Sequence, residues 1–173
     1  MRNLENLTFG FIGIGLIGGS VAKALRRVYP SCKIIVFNRG AKPRVMAMND
    51  GTANITVDKV DNTFHECDYI FLCTPVERNV EYLKSLKNII KEDCIITDVG
   101  SVKTNIHEAV SSLEMKKNFI GGHPMAGSEK TSYEFANDRL LENAYYAITP
   151  TEMVEQIYIK EYTQIISDIG AIP

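Results

Sequence analysis

The sequence predicts an α/β fold, a doubly wound and mainly parallel sheet with helices on both faces. Three observations carry that reading. A glycine-rich turn, Gly10-Phe11-Ile12-Gly13-Ile14-Gly15-Leu16-Ile17-Gly18-Gly19-Ser20, follows an apolar run from Leu7 and opens a helix-like run through Val21, Ala24, Leu25 and Val28. Short β-branched runs then alternate with amphipathic stretches along the rest of the chain. Asp68-Tyr69-Ile70-Phe71-Leu72-Cys73 is almost continuously apolar, as a strand covered on both faces of a parallel sheet must be.

At 173 residues, with no internal repeat, the chain is expected to form one dinucleotide-binding domain over residues 1–173. Hydrophobic residues make up 45% and charged residues 23%, an ordinary globular balance that argues against disorder. The formal net charge is −2 with both signs interspersed, so no basic footprint for nucleic acid is present. No apolar stretch reaches the roughly 18 residues of a membrane span. Glu5 and the glycines of the opening stretch argue against a secretory signal. Cys32, Cys67, Cys73 and Cys94 form no C-x-x-C pair and sit in or beside apolar runs, which reads as reduced thiols of a cytoplasmic protein. His65, His107 and His123 lack metal-ligand spacing, and no metal site is expected.

Gly13, Gly15 and Gly18 stand in G-x-G-x-x-G spacing between strand and helix. Gly13 closes the turn without a Cβ, Gly15 lets backbone approach a pyrophosphate, and Gly18 lets helix pack on strand. The amides beyond Gly15, through Leu16 and Ile17, open a helix whose positive end suits phosphate. These features define a Rossmann-like βαβ unit. Its second strand is Lys33-Ile34-Ile35-Val36-Phe37, closed by Asn38-Arg39-Gly40. An acid about 20 residues past the fingerprint would accept from a ribose 2′-OH. Asn38 holds that place and Arg39 follows, so NADP is favoured over NAD, because arginine offers a fork of donors to a 2′-phosphate and no carboxylate repels it.

Ala41 to Asp50 reads as a short helix ended by Gly51, and Val57 to Glu66 as a loosely helical connection. The strand from Asp68 stops at Thr74-Pro75, which falls at its carboxyl end, where open α/β sheets bind ligands. Glu77 to Ile90 is a covering helix, and Cys94 to Thr97 a strand. Asp98-Val99-Gly100-Ser101-Val102-Lys103 turns into a helix with Val102, Ile106, Ala109, Val110 and Leu113 on its apolar side, and Ser101 reads as its N-cap. Phe119-Ile120 ends the next strand. Gly121 to Glu134 then has no period and reads as a long loop at the sheet's carboxyl edge, a place where loops are usually functional. Within it His123 lies between glycines and Pro124, and imidazole chemistry suits a general base. Ala144 to Thr149 is a further strand, and Pro150-Thr151 opens a helix running to about Ile169.

Three segments together are specific: Gly10 to Ser20, Asp98-Val99-Gly100-Ser101-Val102-Lys103, and Gly121-Gly122-His123-Pro124-Met125-Ala126-Gly127-Ser128-Glu129. On them the chain resembles the prephenate dehydrogenase family over essentially its whole length. The resemblance implies an oxidoreductase of tyrosine biosynthesis that oxidatively decarboxylates prephenate to 4-hydroxyphenylpyruvate with a nicotinamide cofactor. It implies His123 as catalytic base and makes Ser101, beside the substrate hydroxyl, its partner rather than a mere cap. Ser128, Glu129 and Lys130 match a loop facing the substrate. Family members continue into an α-helical second domain that supplies a homodimer interface and a cation for the substrate carboxylate; this chain ends before it and is expected to be the cofactor-binding half. Arogenate dehydrogenase, whose substrate differs by an amino group, and a non-catalytic nucleotide-binding module are the alternatives.

Overall fold

The computed structural model describes residues 2–173. Seven strands form one sheet in the order β3-β2-β1-β4-β5-β6-β7. Their ranges are β1 Thr8–Ile12, β2 Lys33–Phe37, β3 Ile55–Val57, β4 Tyr69–Leu72, β5 Ile95–Asp98, β6 Phe119–Pro124 and β7 Tyr146–Pro150. The helices are α1 Leu16–Val28, α2 Ala41–Asn49, α3 Val76–Leu86, α4 Thr104–Ser112 and α5 Gln156–Asp168. β1 to β6 run parallel, and β7 returns antiparallel against β6.

The period-2 pattern of the central strands splits the core into two layers. Phe9, Phe11, Ile34, Val36, Tyr69 and Phe71 pack with Val21, Ala24 and Leu25 of α1 and Tyr162, Ile165 and Ile166 of α5. Ile12, Ile35, Ile70, Leu72 and Ile96 face the other way onto Leu83 and Leu86 of α3 and Ile106 and Val110 of α4. Each such fully buried side chain contributes about 1.5–3 kcal/mol, which is why β1 and β4, covered on both sides, make the sheet's centre. Helices therefore lie on both faces, as the apolar runs predict.

Four local expectations are corrected. Val57 closes a strand instead of opening the helical connection: β3 pairs with β2 through Phe37 and Val57, and only Asn62–Glu66 makes a 3-10 turn. Phe119 begins β6 rather than ending it, and Gly121, Gly122, His123 and Pro124 are strand, paired with β7 through Gly122↔Ile148 and His123↔Ala147. Ser101 is not a helix cap: α4 starts at Thr104 with Lys103 at the cap position, leaving Val102 exposed. α3 ends at Leu86 and α5 begins only at Gln156, because Pro150 is the last residue of β7. Among the described residues, no helix is long and apolar enough to cross a membrane.

Candidate functional site

β1, β4, β5 and β6 all deliver their carboxyl ends to one edge of the sheet, and the predicted site residues gather there. At the first of these ends Gly13 has φ +92, a conformation that glycine adopts without strain. Its N–H donates to the Phe37 carbonyl at 2.8 Å, and a Cβ there would stand 2.6 Å from the Thr74 methyl. Gly18 brings α1 onto the turn: a Cβ would fall 2.8 Å from the Gly13 carbonyl oxygen and 2.9 Å from Cys73 Cβ. Gly15 caps α1 with no side-chain hydrogen bond, so the first-turn amides and the helix's positive end face the turn. This cradle fits a dinucleotide pyrophosphate. One of its amides is engaged within the chain, since Leu16 N–H donates to the Thr131 carbonyl at 3.0 Å.

Asn38 is hydrogen-bonded into the turn itself. Its Oδ1 accepts from Ile14 N–H at 3.1 Å and its Nδ2 donates to the Gly40 carbonyl at 3.1 Å, so its amide braces the fingerprint turn. Arg44 donates to the carbonyls of Asn38 and Arg39 and fixes the turn from outside. Arg39 is exposed at the mouth of a cleft of about 190 Å³ that also touches Gly13, Thr74, Pro75 and Arg78. Sequence reasoning passed over Arg78. The available signal was its place in the first turn of α3, directly after the Thr74-Pro75 strand end. Thr74 Oγ1 donates to Asn79 Oδ1 at 2.5 Å, which ties this strand end to α3, and Pro75 is the helix's cap residue.

One strand further along, Asp98 is fully buried at the end of β5. Its Oδ1 and Oδ2 each lie 2.7 Å from Lys103 Nζ, and they accept from Gly122 N–H at 3.2 Å and Gly100 N–H at 3.1 Å respectively. Lys103 also donates to the Gly122 carbonyl. Burial pushes the Lys103 ammonium below its ordinary range against the opposing pull of Asp98. The pair thus clamps the 98–103 turn to the strand residue preceding His123. His123 is half-buried, with Nδ1 3.5 Å from the Val99 carbonyl oxygen. Ser101 is exposed on the same turn, and among the described residues no hydrogen bond joins it to His123.

A continuous arc results. Val76 packs 3.3 Å from the position of a Cβ on Gly100, so the turns after β4 and β5 touch as those after β5 and β6 do. Cys73 lies beneath the arc, its thiol pushed up by burial and unsuited to act as a nucleophile. Ser128, Glu129 and Lys130 are exposed on the loop after β6. There Lys130 N–H donates to Ser128 Oγ at 3.1 Å and Lys130 Nζ sits 4.4 Å from the centre of the Phe135 ring. Among the described residues, Glu129 makes no side-chain hydrogen bond or ion pair with the other predicted site residues.

Residues 21–172 match the family profile described as prephenate dehydrogenase, nucleotide-binding domain. The chain belongs to the prephenate dehydrogenase family. The match begins just past Gly18, but similarity to solved members of the family spans the fingerprint as well. The prephenate dehydrogenase of Bacillus subtilis is 32% identical over 161 residues, covering 92% of this chain and 43% of that protein. A crystal structure of Aquifex aeolicus prephenate dehydrogenase, in complex with hydroxyphenyl propionate and NAD+, superposes with a TM-score of 0.90 at 29% identity, covering 99% of this chain and 60% of that one. Synechocystis arogenate dehydrogenase gives a TM-score of 0.88 at 32% identity, covering 95% and 58%. The chain therefore spans about half the length of these relatives, and what it aligns with is a nucleotide-binding domain of Rossmann-like fold.

Proposed function

We propose that this chain is the cofactor-binding half of an NADP-dependent dehydrogenase of tyrosine biosynthesis that converts prephenate to 4-hydroxyphenylpyruvate. The observation that supports this most is the arc at the carboxyl edge, in which the glycine cradle of β1 and the His123 end of β6 are joined through Thr74, Gly100 and the Asp98–Lys103 clamp. The glycine turn of Gly13, Gly15 and Gly18 would hold a nicotinamide cofactor, which when bound would supply the hydride acceptor for the ring carbon that carries the hydroxyl. His123 takes the hydroxyl proton as that carbon becomes a carbonyl, and departure of carbon dioxide hands its electron pair to the ring. Ser101 sits beside the hydroxyl, and Lys103 with Asp98 keeps the His123 strand end in place. Ser128, Glu129 and Lys130 face the rest of the substrate. The domain occupies residues 1–173, and the full-length protein works in the cytoplasm as a homodimer. Arogenate is the second substrate reading, supported by the likeness to the Synechocystis enzyme.

Turnover tests the assignment. The 173-residue chain should bind NADP yet oxidise prephenate far more slowly than a relative carrying its second half; equal rates would refute that reading. In the full-length protein, His123→Asn should cut kcat about 10²–10⁴-fold while NADP affinity stays within about twofold, the size expected of general-base catalysis. A variant that keeps its rate would remove His123 from the chemistry. Assays on prephenate and arogenate side by side decide between the substrates.

A further inference from the structure

We propose that Arg78, in the first turn of α3, forms with Arg39 a two-walled clamp for the 2′-phosphate of the cofactor, and that this pair sets cofactor preference. The inference rests on the reading of this edge as a dinucleotide site. β2 and β4 flank β1, so the turn after β2 and the turn after β4 face each other across Gly13. Between them lies the cleft of about 190 Å³, with Arg39 on one wall, Arg78 on the other, and Tyr82 held edge-on to Phe37 at 5.3 Å between centroids.

A census of arginines singles out these two. The chain has seven: Arg2, Arg26, Arg27, Arg39, Arg44, Arg78 and Arg139. Arg2, Arg27 and Arg139 are paired with carboxylates, and Arg26 and Arg44 donate to backbone carbonyls. Among the described residues the guanidinium groups of Arg39 and Arg78 alone have neither hydrogen bond nor ion pair, and both line the same cleft. No carboxylate lines it with them. Two like charges held beside one cleft with no counter-ion repel each other, and a dianion between them removes that cost. The planar fork of arginine matches phosphate oxygens two at a time. Asn38 holds the turn beside Arg39, its Oδ1 accepting from Ile14 N–H and its Nδ2 donating to the Gly40 carbonyl.

The rival role for Arg78 is stacking on the adenine ring, which NAD and NADP share. Calorimetric titration of the 173-residue chain with adenosine 2′,5′-bisphosphate and with 5′-AMP separates the two. The wild-type chain should prefer the bisphosphate by about tenfold or more, and Arg78→Ala and Arg39→Ala should each reduce that preference by about tenfold, with 5′-AMP affinity within about twofold. Arg78→Lys should keep part of the preference, since it retains the charge without the fork. Equal weakening of both ligands by Arg78→Ala would assign the stacking role, and no change would leave Arg39 alone; either result overturns the clamp while leaving the NADP reading intact. A wild-type chain that binds both ligands equally would instead overturn the NADP reading, and the clamp with it. Arg78 is exposed and makes no side-chain hydrogen bond, so an unchanged melting curve should accompany the variant.

Discussion

The two ends of the sheet treat charge in opposite ways. At the amino edge, where β1, β4 and β5 begin, the buried carboxylates are met by cations. Glu161 of α5 is 1% exposed and receives the Arg2 backbone N–H at 2.7 Å, the Arg2 guanidinium at 2.7 Å and the Tyr69 hydroxyl at 2.9 Å. Asp68 takes Lys91 at 2.6 Å, Arg2 at 3.2 Å and Thr8 N–H at 2.7 Å. At the carboxyl edge Arg39 and Arg78 have no partner among the described residues, and Lys130 touches only an aromatic face. A closed network holds a fold together, whereas charges left open are available to something the fold does not contain. The Asp98–Lys103 pair is a closed, buried pair at the open end that holds a strand terminus in place.

Removing charge should therefore hurt the two edges unequally. Glu161→Ala should have the largest effect, about 3 kcal/mol in urea-unfolding free energy, because it leaves Arg2 and Tyr69 facing a vacated polar site. Asp98→Asn should cost about 2 kcal/mol and also shift the backbone amide resonances of Gly122 and His123; a shift without the stability loss would make the pair purely a positioning device. Alkaline pH probes the layers between the edges. Burial pushes the hydroxyls of Tyr69, Tyr146 and Tyr162 and the thiols of Cys67 and Cys94 upward. Above about pH 9 the unfolded chain sheds protons that the native one keeps, so unfolding free energy should fall as pH rises and be steady from about pH 6 to 8. Smallest of all, Lys130→Ala should leave stability within about 0.5 kcal/mol, and a larger loss would break the contrast.

Much of this plan is legible in sequence for a physical reason. Strands buried on both faces are rich in apolar and β-branched residues, so β2 and β4 announce themselves and β5 does so through Ile95 and Ile96, and the glycine spacing marks the turn after β1. β6 does not announce itself beyond Ile120, because Gly121 and Gly122 have no side chains to favour a strand. Its extension comes from the antiparallel ladder with β7, whose residues lie more than 20 positions away. The helix start at Ser101 fails for a related reason. The buried Asp98 carboxylate holds Gly100 N–H and draws Lys103 back onto itself, so the chain completes that turn before α4 can begin. The bond between Asn38 and Ile14 joins positions 24 residues apart, so the bracing of the fingerprint turn has no local sequence signal. Arg78 is hidden among the solvated charges of α3, and only the sheet order brings it opposite Arg39.

The bond from Leu16 N–H to the Thr131 carbonyl has a thermodynamic consequence. An amide has one hydrogen, so that carbonyl and a phosphate oxygen are competitors for the same donor. The loop bearing Ser128, Glu129 and Lys130 is consequently coupled to the glycine cradle. Competition makes the coupling negative and reciprocity makes it mutual: whatever draws the loop off α1 tightens dinucleotide binding by the same factor by which dinucleotide favours the displaced loop.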